Sequence, residues 1–448
     1  MLELSAHGPG RCGDGLSRRS FLRLGAAGLT TLGLPQILQA RARKESKDTR
    51  VILIWLEGGP SAIDLWDMKP AAPAEYRGYW RPIATNVPGL RITEMFPKQA
   101  RLADKFSIVR TLHHDDGDHI GSAHILLTGR VGPTVANQAP TAPSQGSIVA
   151  KTIGARRPSL PPYVVIPQAV SGIMRPGYFG ASYVGQSYDP FETGGDPNSP
   201  SFKINNLTMA SGMSVDRLDD RRSLRRSLDT LRRDADGNGS FEALDSFEKQ
   251  AFELVTSRAV SQAFNLGQEN EATRDRYGRN TWGQSTLLAR RMVEAGVSFV
   301  TVNMGGWDQH GDLKAKMDLY LPRLDAAVSS LFLDLSSRGL LEQTLVVVCG
   351  EMSRMPRMND GFSGQPPGRD HWSSAISLLM GGGGVQGGRI VGATDSRGES
   401  IVERPVTPEQ LHATIYHVLG IDPSVQFLDR GGRPVAAVDR DEPIRELL

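Results

Sequence analysis

The chain has 448 residues, 39% hydrophobic and 22% charged, which excludes a disordered, collagenous or low-complexity protein and fits one large or two medium globular domains. Its formal net charge is only +2, so there is no basic excess of the kind that nucleic acid or an anionic membrane would require of a partner. With two cysteines, Cys12 and Cys349, the chain cannot carry a disulfide framework.

The N-terminus opens on Ser17-Arg18-Arg19-Ser20-Phe21-Leu22-Arg23, followed by a short apolar stretch from Leu24 to Leu38 and the small-residue segment Ala40-Arg41-Ala42. The apolar stretch is too short and too glycine-rich to anchor as a membrane span. The pattern is that of a twin-arginine export signal over residues 1–42, with a basic amphipathic helix as the plainer alternative. Its removal leaves 46 basic and 47 acidic residues and Cys349 as the remaining cysteine. The expectation is a protein of the periplasm or cell envelope, without a membrane span once the signal is gone. The twin-arginine translocase would be its partner during export. That route carries folded proteins, which suits a protein that loads a metal before leaving the cytoplasm.

Residues 43–448 read as a single α/β domain built on a doubly wound, mainly parallel sheet flanked by helices. Val51 to Leu56 is a continuous apolar run closed by Glu57-Gly58-Gly59-Pro60, as a strand buried on both faces should be. Similar runs recur at Phe106 to Val109, Tyr163 to Ile166, Val297 to Met304, Thr344 to Cys349 and Ala375 to Met380. Amphipathic helical patterns lie between several of them, at Thr286 to Ala295 and Leu313 to Ser336, and a last one at Pro408 to Leu419 starts from Thr407 as N-cap and stops before Gly420. Such alternation implies parallel strands joined by helical crossovers. Around residues 172–279 the rhythm breaks into Gly, Pro and Asn-rich loops and charged helices, 216–233 and 241–263, which read as an insertion over one edge of the sheet. Within it, Asp234 to Asp245 begins like a calcium loop but ends in Asp rather than Glu, and a polar turn is the better reading. The Gly381 to Gly384 run reads as a glycine-rich turn rather than a phosphate cradle, since no lysine or helix start follows it.

Chemistry concentrates in a few segments. Glu57 to Asp67 follows the first strand and carries Ser61, a nucleophile or a helix N-cap, and Asp64, a metal ligand or a turn cap. His113-His114-Asp115-Asp116-Gly117-Asp118-His119 leads into a helix ending at Gly129, with His119 at its N-terminus. In the helix field its pKa is expected to fall, leaving a neutral ligand, base or nucleophile. Three further segments close the set: Gly306-Trp307-Asp308-Gln309-His310, Gly350-Glu351-Met352-Ser353-Arg354 and Gly368-Arg369-Asp370-His371-Trp372. Of the nine histidines, six lie in segments that also carry carboxylates, and carboxylate with imidazole holds divalent metals of mixed hardness. Asp308, His310, Glu351 and His371 are the expected ligands of one or two divalent ions (Zn, Mn, Fe or Ca). Asp64 and Asp370 are further candidates, and whichever of Asp370 and His371 does not bind would support the other. Glu351 alternatively pairs with Arg354 alone.

These segments carry a resemblance. Gly58-Gly59-Pro60-Ser61, Asp64, Asp67 to Pro70, Gly306-Trp307-Asp308 with His310, Gly350-Glu351 with Arg354, Asn359, Gly368 to Trp372 and Gly392 to Asp395 resemble, in order and spacing, the bacterial family known as domain of unknown function 1501. That family resembles a branch of the alkaline phosphatase and sulfatase superfamily, which implies an alkaline phosphatase-like fold and metal-assisted hydrolysis of a phosphate or sulfate ester, with a small-molecule or glycan ester as substrate. By the same resemblance Asp308, His310, Glu351 and His371 fall in the order of that superfamily's ligands, and His119, Ser61 and Arg354 are the catalytic candidates. His119 would be nucleophile, base or further ligand, and Arg354 would neutralise the bound anion. Leu126-Leu127-Thr128-Gly129-Arg130 is similar to the helix ending of sulfatases, but His119 stands where they carry a modified cysteine, so formylglycine chemistry is excluded. The resemblance also leaves open a non-catalytic metal-containing binding protein and a metal-dependent phosphomutase or transferase, the last requiring a phosphorylatable Ser61.

Overall fold

In the computed structural model, residues 48–157, 159–204, 257–440 and 442–448 are described. The expected export signal, most of the expected charged insertion and the calcium-like loop lie outside them.

The described elements in chain order are β1 (Arg50–Glu57), α1 (Ala62–Leu65), β2 (Ser107–Leu112), α2 (His119–Thr128), α3 (Gln145–Thr152), β3 (Tyr163–Ile166), β4 (Phe191–Glu192), α4 (Thr281–Ala295), β5 (Phe299–Gly305), α5 (Leu313–Ser337), β6 (Thr344–Cys349), β7 (Ser353–Arg354), β8 (His371–Trp372), β9 (Ile376–Gly381), β10 (Ile390–Val391) and α6 (Pro408–Leu419), with shorter pieces between. Eight strands form one sheet in the order β10-β2-β9-β6-β1-β5-β3-β4. β1 is central and pairs in parallel with β5 and β6. The sheet is therefore mixed but mainly parallel, with β9 running antiparallel to both β2 and β6. The reason lies in the connection: a parallel return needs a crossover, usually a helix, and residues 350–375 between β6 and β9 contain none.

Both faces of the sheet are covered. Ile52, Ile54 and Leu56 of β1 point into a core shared with α4 and α5, while Val51, Leu53 and Trp55 point into a second core shared with α2, α3 and α6. The unbroken apolar run follows from this, since every position of the strand meets a helical layer. Full burial of each Val, Leu or Ile in it contributes roughly 1.5–3 kcal/mol. Helix α6 carries the capping box Thr407–Gln410 and stops at Gly420 in the left-handed region (φ 68°), so both of its ends are specified locally. The glycine run after β9 packs on the carbonyls of Leu341 and Thr344, where no Cβ would fit at Gly382. It sits at the end of β6 opposite Glu351, away from the segments that carry the chemistry.

Two histidines are structural. His412 is fully buried and its Nε2–H donates to the Leu126 carbonyl (2.9 Å). His124 donates from Nδ1 to the Arg130 carbonyl (3.0 Å) and accepts from the Thr141 N–H at Nε2 (3.2 Å), which locks a neutral ring. Burial pushes each down to about 4. An unfolded chain takes up these protons near pH 6.5 and the folded one refuses them until about pH 4. Stability held at neutral pH is therefore expected to fall as pH drops through that window. Denaturant midpoints at pH 7 and pH 4.5 test this: His412→Gln should flatten the dependence, and an unchanged midpoint in the native chain would contradict it.

Candidate metal centre

The carboxyl ends of β1, β2, β5 and β6 share one edge of the sheet, and the loops leaving them converge, as in open α/β sheets generally. Asp308 follows β5, Glu351 follows β6, and His119 begins α2 after β2. His371 lies on β8, which pairs back on β7 and sets His371 opposite Arg354. Asp118 caps α2, accepting from the N–H groups of Ile120 (2.7 Å) and Gly121 (3.2 Å), and so fixes where His119 starts.

The side chains meet at Asp308 Oδ1. Nε2 of His310 stands 3.1 Å from it, Nε2 of His119 3.2 Å and Nε2 of His371 3.3 Å. His310 Nε2 and His371 Nε2 are 3.0 Å apart. On the far side of each ring, Nδ1 faces an acceptor: Glu351 Oε1 for His119 (2.7 Å), Asp370 Oδ1 for His310 (2.7 Å) and the Gly117 carbonyl for His371 (2.9 Å). Carboxylates and a carbonyl accept, so in each pair the imidazole N–H is the donor. A neutral ring then has its lone pair on Nε2, directed at the cluster centre. Lone pairs and a carboxylate oxygen facing one another at these distances repel unless a cation or proton stands among them.

The donor set fits a divalent ion. Ligands at about 2.0–2.1 Å from a tetrahedral zinc stand about 3.3 Å apart, close to the separations of Asp308 Oδ1 from the three Nε2 atoms and of the His310 and His371 Nε2 atoms from each other. Each imidazole is oriented by a partner behind it, the usual support for metal-ligating histidine. His119 Nε2 is buried without a hydrogen-bond partner, and His119, Asp308 and His371 each offer a ligand atom within 4.8 Å of the others.

Several sequence expectations are redistributed. Glu351 is fully buried, but its Oε1 takes the Gly58 N–H (2.8 Å) and His119, so it stands behind a histidine rather than in the ring of nitrogens. Asp370 stands likewise behind His310. Asp64 is outside the cluster, in a buried ion pair with Arg369 Nε (2.8 Å), which takes up its charge. Ser61 occupies the N-cap position of α1, yet its hydroxyl is wholly buried and donates to Asp64 Oδ2 (2.6 Å), leaving no free nucleophile there. Arg354 is buried as well. It donates to the carbonyls of Gly59 (2.9 Å) and Gly58 and to Asp308 Oδ1 (2.5 Å), so it holds Asp308 in place rather than reaching outward to an anion. Burial favours the neutral forms of both His119 and Asp308, but their mutual contact and their other partners win. Against burial, His119 is raised to about 9 by its close contacts with Asp308 and Glu351, the reverse of the fall expected from the helix field alone. Asp308 is held far below the usual carboxylate range by His119, His371 and Arg354.

One residue of the motifs had no role in the sequence reading. Asn359 donates to the His310 carbonyl (2.8 Å) and accepts from the N–H groups of Gly361 (3.1 Å) and Gly368 (2.9 Å), closing the neck of the 359–368 hairpin onto the segment that bears His310. An Asn a few residues before a glycine-rich turn was the signal available. Gly58 is equally placed. At φ 111° it lies in the left-handed region, and a Cβ there would stand 2.5 Å from the Asp308 nitrogen. Gly58→Ala is therefore expected to cost about 1–3 kcal/mol in backbone strain and to displace Asp308, read as a lowered unfolding midpoint together with weakened metal uptake. Unchanged uptake would show that the loop can give way.

A family model described as "Protein of unknown function (DUF1501)" matches residues 48–448. No curated protein matches the sequence. Among solved structures, the PsFucS1 sulfatase from Pseudoalteromonas sp. is 12% identical with a TM-score of 0.39, over 88% of this chain and 73% of that one. A TAB5 alkaline phosphatase mutant with Mg bound is 12% identical with a TM-score of 0.39, over 84% of this chain and 99% of that one. The phosphonate monoester hydrolase of Agrobacterium radiobacter is 12% identical with a TM-score of 0.34, over 86% and 78%. Likenesses this distant leave function to be argued from the site itself.

Proposed function

The chain belongs to the DUF1501 family, and from that premise we propose that it is an exported, metal-dependent hydrolase of phosphate or sulfate esters. The observation that carries the reading is the convergence of three Nε2 atoms, each with its Nδ1 already engaged, on one oxygen of Asp308. His119, His310, His371 and Asp308 would hold the ion. A divalent ion bound there supplies Lewis acidity toward an ester oxygen and lowers the pKa of a nearby water.

The chain's own groups do the rest. Glu351, Asp370 and the Gly117 carbonyl hold the three imidazoles in the tautomer that binds, and Arg354 keeps Asp308 ionised. Ser61 is tied to Asp64, so water is the nucleophile that this geometry favours, and a phosphoserine mutase is disfavoured. The engagement of Ser61 also supports the second reading, a metal-containing binding protein of the envelope. Export rests on the twin-arginine pattern of residues 1–42.

The test is turnover of a panel of aryl phosphate and sulfate esters by metal-loaded protein, before and after chelation, beside elemental analysis of the same preparation. Chelator-sensitive hydrolysis supports the enzyme. Stoichiometric metal with no hydrolysis of either ester class supports the binding protein. Folded protein that takes up no metal ends both.

A further inference from the structure

A cleft of about 610 Å³ lies apart from the histidine cluster, walled by Arg77, Tyr79, Trp80, Arg81 and Arg91 with flanking glycine and prolines, and no carboxylate of the described residues lines it. Arg77 ends the short helix Ala74–Arg77, while Arg81 and Arg91 flank the two-stranded hairpin of Pro82–Ala84 and Arg91–Thr93. All three arginines are exposed, and none has an ion-pair partner among the described residues. Arg91 donates to the Pro82 carbonyl (3.2 Å), a neutral group. Of the acids nearest in sequence, Glu75 and Glu94, neither pairs with these arginines, and Glu94 has a carboxylate oxygen engaged by the Arg81 backbone N–H (2.9 Å). Three like charges gathered without a counter-ion repel one another, an arrangement that costs stability unless a ligand supplies the opposite charge.

The floor is aromatic and rigid. Trp80 is nearly buried, and its indole N–H donates to Asp318 (3.0 Å). Tyr79 stands edge-on to it, ring centres 5.7 Å apart, with 40% of its surface open. Arg369, the neighbour of Asp370, donates to the Tyr76 carbonyl (2.9 Å), so the helix that presents Arg77 is tied to the segment that carries His371.

Guanidinium forks match the planar or tetrahedral oxygens of carboxylate and sulfate, and a half-open tyrosine ring offers a flat apolar surface beside them. We propose that this cleft binds an acidic polysaccharide, with sulfate or carboxylate groups on Arg77, Arg81 and Arg91 and a sugar face on Tyr79. Single-stranded nucleic acid also uses arginine with aromatic rings, but it draws on a broad positive field that a body of 46 basic and 47 acidic residues does not provide. The cleft does not depend on the metal reading.

The experiment measures binding of the full-length protein to dextran sulfate, a polyuronate, unsulfated dextran and poly-dT, with the thermal midpoint as a check of folding. The native chain is expected to bind dextran sulfate or the polyuronate and to ignore dextran, the better of the two acidic polymers naming the group recognised. Arg77→Ala with Arg81→Ala, whose side chains form no hydrogen bond or ion pair among the described residues, should weaken that binding tenfold or more. The corresponding pair of lysine substitutions should restore it only in part, and Tyr79→Ala should weaken it severalfold. His371→Ala should leave it unchanged even when all hydrolysis is lost, which separates this proposal from the metal centre. Undiminished binding by the folded alanine pair, no binding of either acidic polymer, or equal binding of poly-dT would overturn it.

Discussion

Asp308→Asn is expected to reduce divalent metal affinity by more than about 100-fold, since even groups that only support a metal-ligating histidine are worth about 10–100-fold. All three imidazoles meet this one oxygen, and no other carboxylate of the cluster faces the same point. The amide also takes from Arg354, buried beside it, the carboxylate it is directly paired with, so folding must be checked by circular dichroism before metal is counted. Asp370→Asn is the graded companion: it touches His310 from behind, and a loss of about 10–100-fold is expected of it. A folded Asp308→Asn protein that still holds one equivalent of metal would remove the cluster from consideration.

The second large effect is on pH. In the metal-free protein His119 carries a proton up to about pH 9, held between Asp308 and Glu351. Coordination through Nε2 requires that proton to leave. Below about pH 9 each unit of acidification should therefore weaken apparent affinity about tenfold, and close to one proton should be released per ion bound at pH 7.5. Calorimetry in two buffers of different ionisation enthalpy reads that proton directly. Glu351→Gln removes one of the two charges that raise His119, so its dependence should shift to lower pH while the ring of ligands stays intact. A pH-independent affinity, or a Glu351→Gln protein unable to bind at all, would put Glu351 in the ring itself and His119 outside it.

The sheet was legible because its strands are buried on both faces, and burial writes itself into the sequence as unbroken apolar runs. The orientation of β9 was not read, although the information was present: no helical pattern separates Cys349 from Ile376. At the site, Asp308, His310 and His371 stood out because they share short glycine-bounded motifs, and the tight turns bring them to one point. What could not be read was the direction of each carboxylate. Glu351 turns toward His119 because the Gly58 N–H fixes one of its oxygens, and Asp64 turns to Arg369, both contacts between residues hundreds of positions apart. Residue types announce a chemistry, but pairing across the fold decides which acid coordinates, which supports and which only neutralises. The pKa of His119 is a further example: its place at a helix start argued for a lowered value, and two carboxylates invisible from that segment reverse the sign.

The candidate ligands lie on three separate segments between His119 and His371, so no fragment shorter than that span contains the complete set. An ion bound there would act as a non-covalent clasp between distant parts of the polypeptide, in a chain whose described residues contain one free cysteine and hence no disulfide to do the same. Because it would bind only the finished fold, it should raise the melting temperature in step with the logarithm of its concentration. Nascent chains not yet extended past His371 would be left unloaded and more easily unfolded.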